Sequence, residues 1–190
     1  TVIYQHPPPA YYTHYFDTTS CGATGGNTDN TYYVSIRARN PCGFSDAKVE
    51  PITTGIAPIP DFGISPDTVA CINSILTFTD LSINGNIVDN NGYCDTLSKR
   101  KWEIIPSSGW SVPPGGGQLG TLSNYPPFWG STVLDIIFDS AGVYSISMII
   151  ENDCSENQDP DTITKSVCIV PEPIPSFDLN TTIGCIPLAI

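Results

Sequence analysis

Seven cysteines carry the most specific chemistry in this chain: Cys21, Cys42, Cys71, Cys94, Cys154, Cys168 and Cys185. A zinc site would announce itself by CxxC pairs or by a histidine close to a cysteine, and neither pattern occurs. The spacing suits structural disulfides formed in an oxidising compartment. His6 stands beside Pro7, Pro8 and Pro9, and His14 stands among tyrosines. Neither has an Asp, Ser or Cys partner at a recognisable catalytic spacing, so packing or surface roles are expected and no enzymatic centre is. Ser20-Cys21-Gly22 and Asn40-Pro41-Cys42-Gly43 read as turn cysteines in a disulfide-bearing β protein, not as nucleophiles.

Two acidic groupings supply oxygen ligands of the kind calcium takes. One holds Asp80, Asn84, Asn86, Asp89 and Asp95, the other Asp153, Glu156, Asp159 and Asp161. Asp80, Asp89, Asp153, Asp159 and Asp161 are the calcium candidates, although the spacing is not that of an EF-hand and Asn and Asp also favour turns. No other cofactor is expected. Trp102 sits at a core parity in a strand, whereas Trp110 and Trp129 neighbour Gly and Pro loops and are the candidates for stacking on a sugar. Lys99-Arg100-Lys101, the one basic run, reads as a solvated strand edge that discourages further pairing.

These residues must be held by strands. The chain has 16 Gly and 18 Pro among its 190 residues, with abundant Val, Ile, Thr, Tyr and Phe, the mixture of short strands and turns. Charged residues are only 14% of it, too few for typical disorder. Its formal charge of −12 repels phosphates and anionic lipid, so nucleic acid is not an expected partner. No run of 18 apolar residues marks a membrane span, and no basic-then-apolar leader opens the chain. Both ends read as cuts in a longer polypeptide, with export and anchoring left to parts outside it.

An internal repeat sets the organisation. Tyr32, Val34, Ser35 and Ile36, followed by Asn40 and Cys42, align without a gap with Tyr144, Ile146, Ser147 and Met148, followed by Asn152 and Cys154. Ile59-Pro60-Asp61-Phe62 leading to Cys71-Ile72 likewise matches Ile174-Pro175-Ser176-Phe177 leading to Cys185-Ile186. The period is about 113 residues. It places the tail of one domain at 1–56, a complete domain at 57–171 and the start of another at 172–190. The seams at 56–60 and 170–175 alternate prolines, so short, semi-rigid linkers and a rod of domains are expected.

Within 57–171, strands are expected at Ile75–Thr79, Lys101–Ile105, Thr132–Phe138, Tyr144–Ile150 and Ile163–Val170, with Leu76, Phe78, Trp102 and Ile104 pointing inward. In the earlier copy, Tyr32, Val34, Ile36 and Ala38 share one face. Asn84-Gly85-Asn86, Asn90-Asn91-Gly92 and the run from Pro113 to Gly117 read as turns. About seven strands in this length fit an all-β, immunoglobulin-like sandwich. In that topology Cys71 and Cys154 fall at opposite ends, too far apart for a bond. Cys71 then pairs with Cys168, and Cys94 with Cys154. The first bond is worth about 4–5 kcal/mol in the chain-entropy model. Cys21–Cys42 follows by elimination, and Cys185, the counterpart of Cys71, needs a partner beyond the cut.

Cys71 to Phe78, Trp102-Glu103-Ile104, and Ala141-Gly142-Val143-Tyr144-Ser145-Ile146-Ser147-Met148 resemble the opening, third strand and sixth strand of the polycystic-kidney-disease (PKD) repeat. The family's Trp-Asp-Phe-Gly-Asp-Gly stretch is replaced here by Trp102-Glu103-Ile104-Ile105-Pro106, so the domain is a divergent member or a sandwich sharing only the end motifs. Residues 1–56 end either a PKD-like or a fibronectin type III-like unit. Cysteine-bearing repeats of this kind are similar to those of giant Bacteroidetes surface proteins, among them mobile gliding-motility adhesins exported by type IX secretion. The resemblance implies an extracellular, outer-membrane-associated adhesin whose partners are neighbouring repeats and a polysaccharide or other surface ligand. The alternative it implies is a polysaccharide-binding or spacer module of a secreted hydrolase. It also implies O-glycosylation at Asp-Thr or Asp-Ser triplets, here at Thr18, Thr68, Thr96, Ser140 and Thr162. Asn180-Thr181-Thr182 is a formal N-linked sequon.

Overall fold

The computed structural model describes residues 7, 9–24, 28–123, 126–155, 161–178 and 183. Among them the chain forms fourteen strands and no α-helix, so the all-β expectation holds. In chain order the strands are β1 (Tyr32–Ile36), β2 (Arg39–Asn40), β3 (Gly43–Phe44), β4 (Lys48–Ile52), β5 (Phe62–Ser65), β6 (Val69–Cys71) and β7 (Ile75–Asp80). They continue with β8 (Ile87–Val88), β9 (Cys94–Asp95), β10 (Lys99–Ile105), β11 (Trp110–Ser111), β12 (Val133–Phe138), β13 (Gly142–Glu151) and β14 (Asp161–Val170). Among the described residues one 3-10 turn is formed, at Pro126–Phe128.

Period-two alternation folds this text into two facing sheets. One has the order β10-β13-β14-β6, the other β11-β12-β7-β5. Leu76 and Phe78 of β7 and Leu134, Ile136 and Phe138 of β12 face Trp102 and Ile104 of β10 and Tyr144, Ile146 and Met148 of β13. All of them are buried, and each such side chain contributes about 1.5–3 kcal/mol on leaving water. The Trp102 ring meets Phe62 edge-on at 5.2 Å. Its Nε1 donates to the Ser131 carbonyl at 2.9 Å, so the indole keeps its hydrogen bond inside the core. The Tyr144 hydroxyl lies 3.0 Å from the Ser140 carbonyl and 3.1 Å from that of Gly109. The bond back to Ser140 is the tyrosine corner of immunoglobulin-like sandwiches.

The first strand is shared between the sheets. β5 runs antiparallel to β7, then the chain crosses at Ser65-Pro66 and β6 runs parallel to β14. Cys168 donates its amide to the Thr68 carbonyl at 2.8 Å, and Ile72 donates to Val170 at 3.0 Å. First and last strands of the sandwich are therefore zipped side by side and point the same way.

Three expectations change. The seam at 56–60 is not a free linker. Ile56 and Ile59 form bridges with Asn86 and Ile83, in the register that β5 continues with Phe62 opposite Asp80. Ile59 exchanges both backbone bonds with Ile83 (2.9 and 3.0 Å), and Asp61 accepts the Leu81 amide at 2.8 Å. Ile59 and Asp61 thus take the bonding positions and leave Pro58 and Pro60 where no amide is needed, which is how prolines fit a sheet edge. Asn84-Gly85-Asn86 is correspondingly the partner of the seam and not an open turn.

The second change concerns β1, which pairs only with β4 among the described residues. Among the described residues no second sheet covers it, and Ile36 is 70% exposed although its spacing suggests a buried face. The third concerns the basic run. Lys99, Arg100 and Lys101 lie within β10, which is an edge strand, but the first two are withdrawn from solvent and paired with acids.

Candidate functional site: a cystine-closed junction

Where residues 18–56 meet the sandwich, polar and sulfur chemistry concentrates. The Ser20 amide donates to the Thr54 carbonyl at 3.0 Å, and the Thr54 amide donates to Ser20 Oγ at 3.0 Å. This pins Cys21 beside the start of the seam. Cys21 is bonded to Cys94 of β9, with Cα atoms 5.6 Å apart and a sequence separation of 73. In the chain-entropy model such a closure stabilises by about 4 kcal/mol. Next to it, Asn30 Nδ2 donates to the Gly92 carbonyl at 2.9 Å across the same gap.

Asn152 anchors the other side of the junction. Its Nδ2 donates to the Ile56 carbonyl at 2.9 Å, and its Oδ1 accepts the Cys154 amide at 3.0 Å. The aligned Asn40 makes the same turn, accepting the Cys42 amide at 2.9 Å. Gly85 is buried where an added Cβ would strike the Ile56 carbonyl, the Asn152 amide and Ala57, so only glycine lets the seam come this close. A cavity of about 180 Å3 opens between Thr53, Thr54, Gly55, Ile87, Val88, Asp153 and Cys154.

Behind the junction lies a belt of buried charge. Arg100 of β10 pairs with Asp80 of β7, joining the two sheets, and Lys99 Nζ lies 3.5 Å from Glu151 across the β10–β13 ladder. Asp80 Oδ1 also accepts the Ser82 amide at 2.8 Å. The basic run is therefore an internal tie. At the sandwich's edge Lys165 Nζ bonds Asp61 Oδ1 at 2.8 Å, linking β14 to the start of β5. That hydrogen bond holds the exposed Asp61 carboxyl below its ordinary value of 3.8.

The cysteine pairing differs from the expected one. Cys21 bonds Cys94, so neither Cys21–Cys42 nor Cys94–Cys154 is formed, and Cys42 and Cys154 carry free thiols. The topological placement behind the expectation holds for the ends of the sandwich. Cys71 lies opposite Val170, beside the strand end where Gly142 begins β13, while Cys154 follows the far end of β13. In place of Cys154, Cys21 from outside the sandwich is the partner of Cys94. Cys71 and Cys168 share the β6–β14 ladder two residues out of register, Cys168 opposite Val69, and remain unbonded. Burial, then the negative charge of Asp153, raises the Cys154 thiol above its ordinary 9.0. Cys185 lies outside the described residues.

The remaining candidates are dispersed. Trp110 pairs with Phe138 at one end of β12, whereas Trp129 precedes the other end, so one sugar ring cannot stack on both. Each indole N–H is held by the local backbone, Trp110 by Pro106 at 2.8 Å and Trp129 by Ser123 at 2.6 Å. Of the calcium candidates, Asp80 is committed to Arg100, and Asp89 accepts the amides of Tyr93 (2.8 Å) and Asn91 (2.9 Å) in a turn. Asp153 is exposed beside Cys154 and Asp161 opens β14, while Asp159 and Glu156 lie outside the described residues. Among the described residues, no three His, Cys, Asp or Glu converge as ligands. Thr18, Thr68, Thr96, Ser140 and Thr162 are all exposed. His14 stacks edge-on against Phe16 at 4.7 Å, and His6 and the 180–182 sequon lie outside the described residues.

The chain matches no protein-family model and no curated protein. Sequence reasoning missed Asn152, Asn30 and Gly85 as junction residues. The signal available for Asn152 was its repetition at Asn40, two residues before a cysteine in both copies.

Proposed function

We propose that this chain is a mechanical segment of a large, secreted cell-surface adhesin, built to transmit tension and not to turn over a substrate. The observation that carries the reading is the parallel pairing of β6 with β14. Tension applied at the two ends pulls β6 toward its N-terminal end and β14 toward its C-terminal end. Because the strands point the same way, every bond of their ladder is sheared at once instead of being opened one by one. The Lys165–Asp61 pair joins the same two ends of the sandwich. The junction adds two further restraints, the bridged seam at 56–59 and the Cys21–Cys94 bond. A structural disulfide agrees with an oxidising, extracellular setting.

The resemblance of the strand motifs to PKD repeats extends the reading to a repetitive adhesin of the gliding-motility kind, exported by type IX secretion and glycosylated at the exposed Asp-Thr and Asp-Ser triplets. Its partners are then neighbouring repeats and a surface ligand. Single-molecule pulling tests the mechanical core of this proposal. End-to-end traction is expected to need a clearly higher force than traction applied across the β13–β14 hairpin, which unzips bond by bond. Equal forces in the two geometries would overturn it. Flanking genomic sequence tests the wider reading, where further copies of the unit are expected and an adjacent hydrolase domain would replace the adhesin by an accessory module.

A further inference from the structure

The free Cys154 thiol shares its surroundings with the Cys21–Cys94 bond. Cys154 Sγ packs on Gly55 so closely that a methyl group there would overlap it, and the Gly55 amide donates to it. Gly55 follows Thr54, which is bonded in both directions to Ser20, the neighbour of Cys21. Ile87 closes the third side. Its carbonyl lies 3.6 Å from Cys21 Sγ, while its Cγ2 faces the same side of Gly55 as Cys154 does. Ile87 and Cys154 also line one cavity, with Val88, whose cross-strand partner is Cys94. Three sulfurs thus surround the two-residue strand β8, and two of them are bonded.

We propose that Cys154 is an exchange thiol for the junction, able to take Cys21 from Cys94 and so move the covalent clamp from β9 to the end of β13. Cys154 first gives its proton to solvent, and its sulfur then attacks Cys21 Sγ. The Cys154–Cys21 bond forms as the Cys21–Cys94 bond breaks. Cys94 leaves as a thiolate and takes up a proton. One disulfide and one thiol exist before and after, so no outside oxidant or reductant is required. Cys21 is the sulfur attacked because its neighbour Ser20 is held to Thr54, next to the Gly55 on which Cys154 packs, and its sulfur contacts the same Ile87. The junction stays covalently closed throughout, and the β8–β9 hairpin is released. This chemistry does not depend on the mechanical reading, and either can fail without the other.

The test uses the full chain with Cys94→Ser, held in a glutathione redox buffer, alkylated and digested without reduction. A Cys21–Cys154 linked peptide is expected as the main disulfide product. Recovery of Cys21 and Cys154 as separate alkylated or glutathionylated peptides would overturn the proposal. Should Cys94→Ser lose its β-sheet circular dichroism, the wild-type chain decides instead. With a trace of reduced glutathione at alkaline pH, Cys94 should become open to alkylation as the Cys21–Cys154 peptide accumulates. Persistent protection of Cys94 there rejects the exchange.

Discussion

Asn152 donates its side-chain amide to the Ile56 carbonyl at 2.9 Å, joining residues 96 apart in sequence, while its carbonyl oxygen caps the Cys154 amide. One buried side chain therefore fixes both the end of β13 and the entry of the seam. Asn152→Ala removes both bonds: the Ile56 carbonyl keeps only the Asn86 amide, and the Cys154 amide loses its side-chain acceptor. Each lost hydrogen bond costs about 0.5–1.5 kcal/mol net. Urea unfolding should show a lower midpoint at an unchanged slope. A midpoint within error of the wild type would show that water replaces the amide at no cost.

The Arg100–Asp80 pair is almost withdrawn from solvent, with side-chain exposures of 11% and 7%. Breaking such a pair strands one charge, at about 3–5 kcal/mol, whereas replacing both partners by apolar residues of similar size is often neutral. Asp80→Asn should therefore destabilise strongly, and the double variant Asp80→Leu, Arg100→Met should recover most of the loss. Thermal melts of the two variants read this directly, and a double variant no better than the single one contradicts it.

Tyr144→Phe deletes only the hydroxyl that ties β13 to the Ser140 carbonyl. The ring stays packed on Phe138, 4.6 Å away between centroids. A loss of about 1 kcal/mol is expected, as for a single net hydrogen bond. Chemical denaturation gives the value, and a change above about 3 kcal/mol would mean that the corner organises more of the fold than its bond.

Cys154 should alkylate with an inflection above the ordinary thiol value. Burial and the Asp153 carboxylate both disfavour the thiolate, so at any given pH less of it is reactive in the folded chain than in the unfolded one. Asp153→Asn removes one of the two causes and should lower the inflection without restoring it fully. Rates of iodoacetamide labelling against pH, folded and in urea, measure this. An inflection that is equal in both states removes the premise.

How much of this was legible in the sequence depends on the range of the forces involved. Period-two alternation is local, and it placed Leu76, Phe78, Trp102 and Ile104 inward and set β7, β10, β12, β13 and β14 within a few residues, though not the short β5, β6 and β11, because burial of one face is decided by neighbours along the chain. The same alternation misled at Ile36, since whether a second sheet covers a strand is not written in that strand. Asp and Lys types likewise did not disclose that Lys99 and Arg100 have acids facing them from β13 and β7. Cysteine types implied an oxidising framework, but the partner of Cys94 depends on which cysteine brings its Cα within about 7 Å, here Cys21 at 5.6 Å, a matter of how residues 18–56 dock. The prolines of the seam announced extended backbone. Only the tertiary structure decided that its free amides would be satisfied by residues 83–86, because a hydrogen bond needs a partner in space and not a neighbour in sequence.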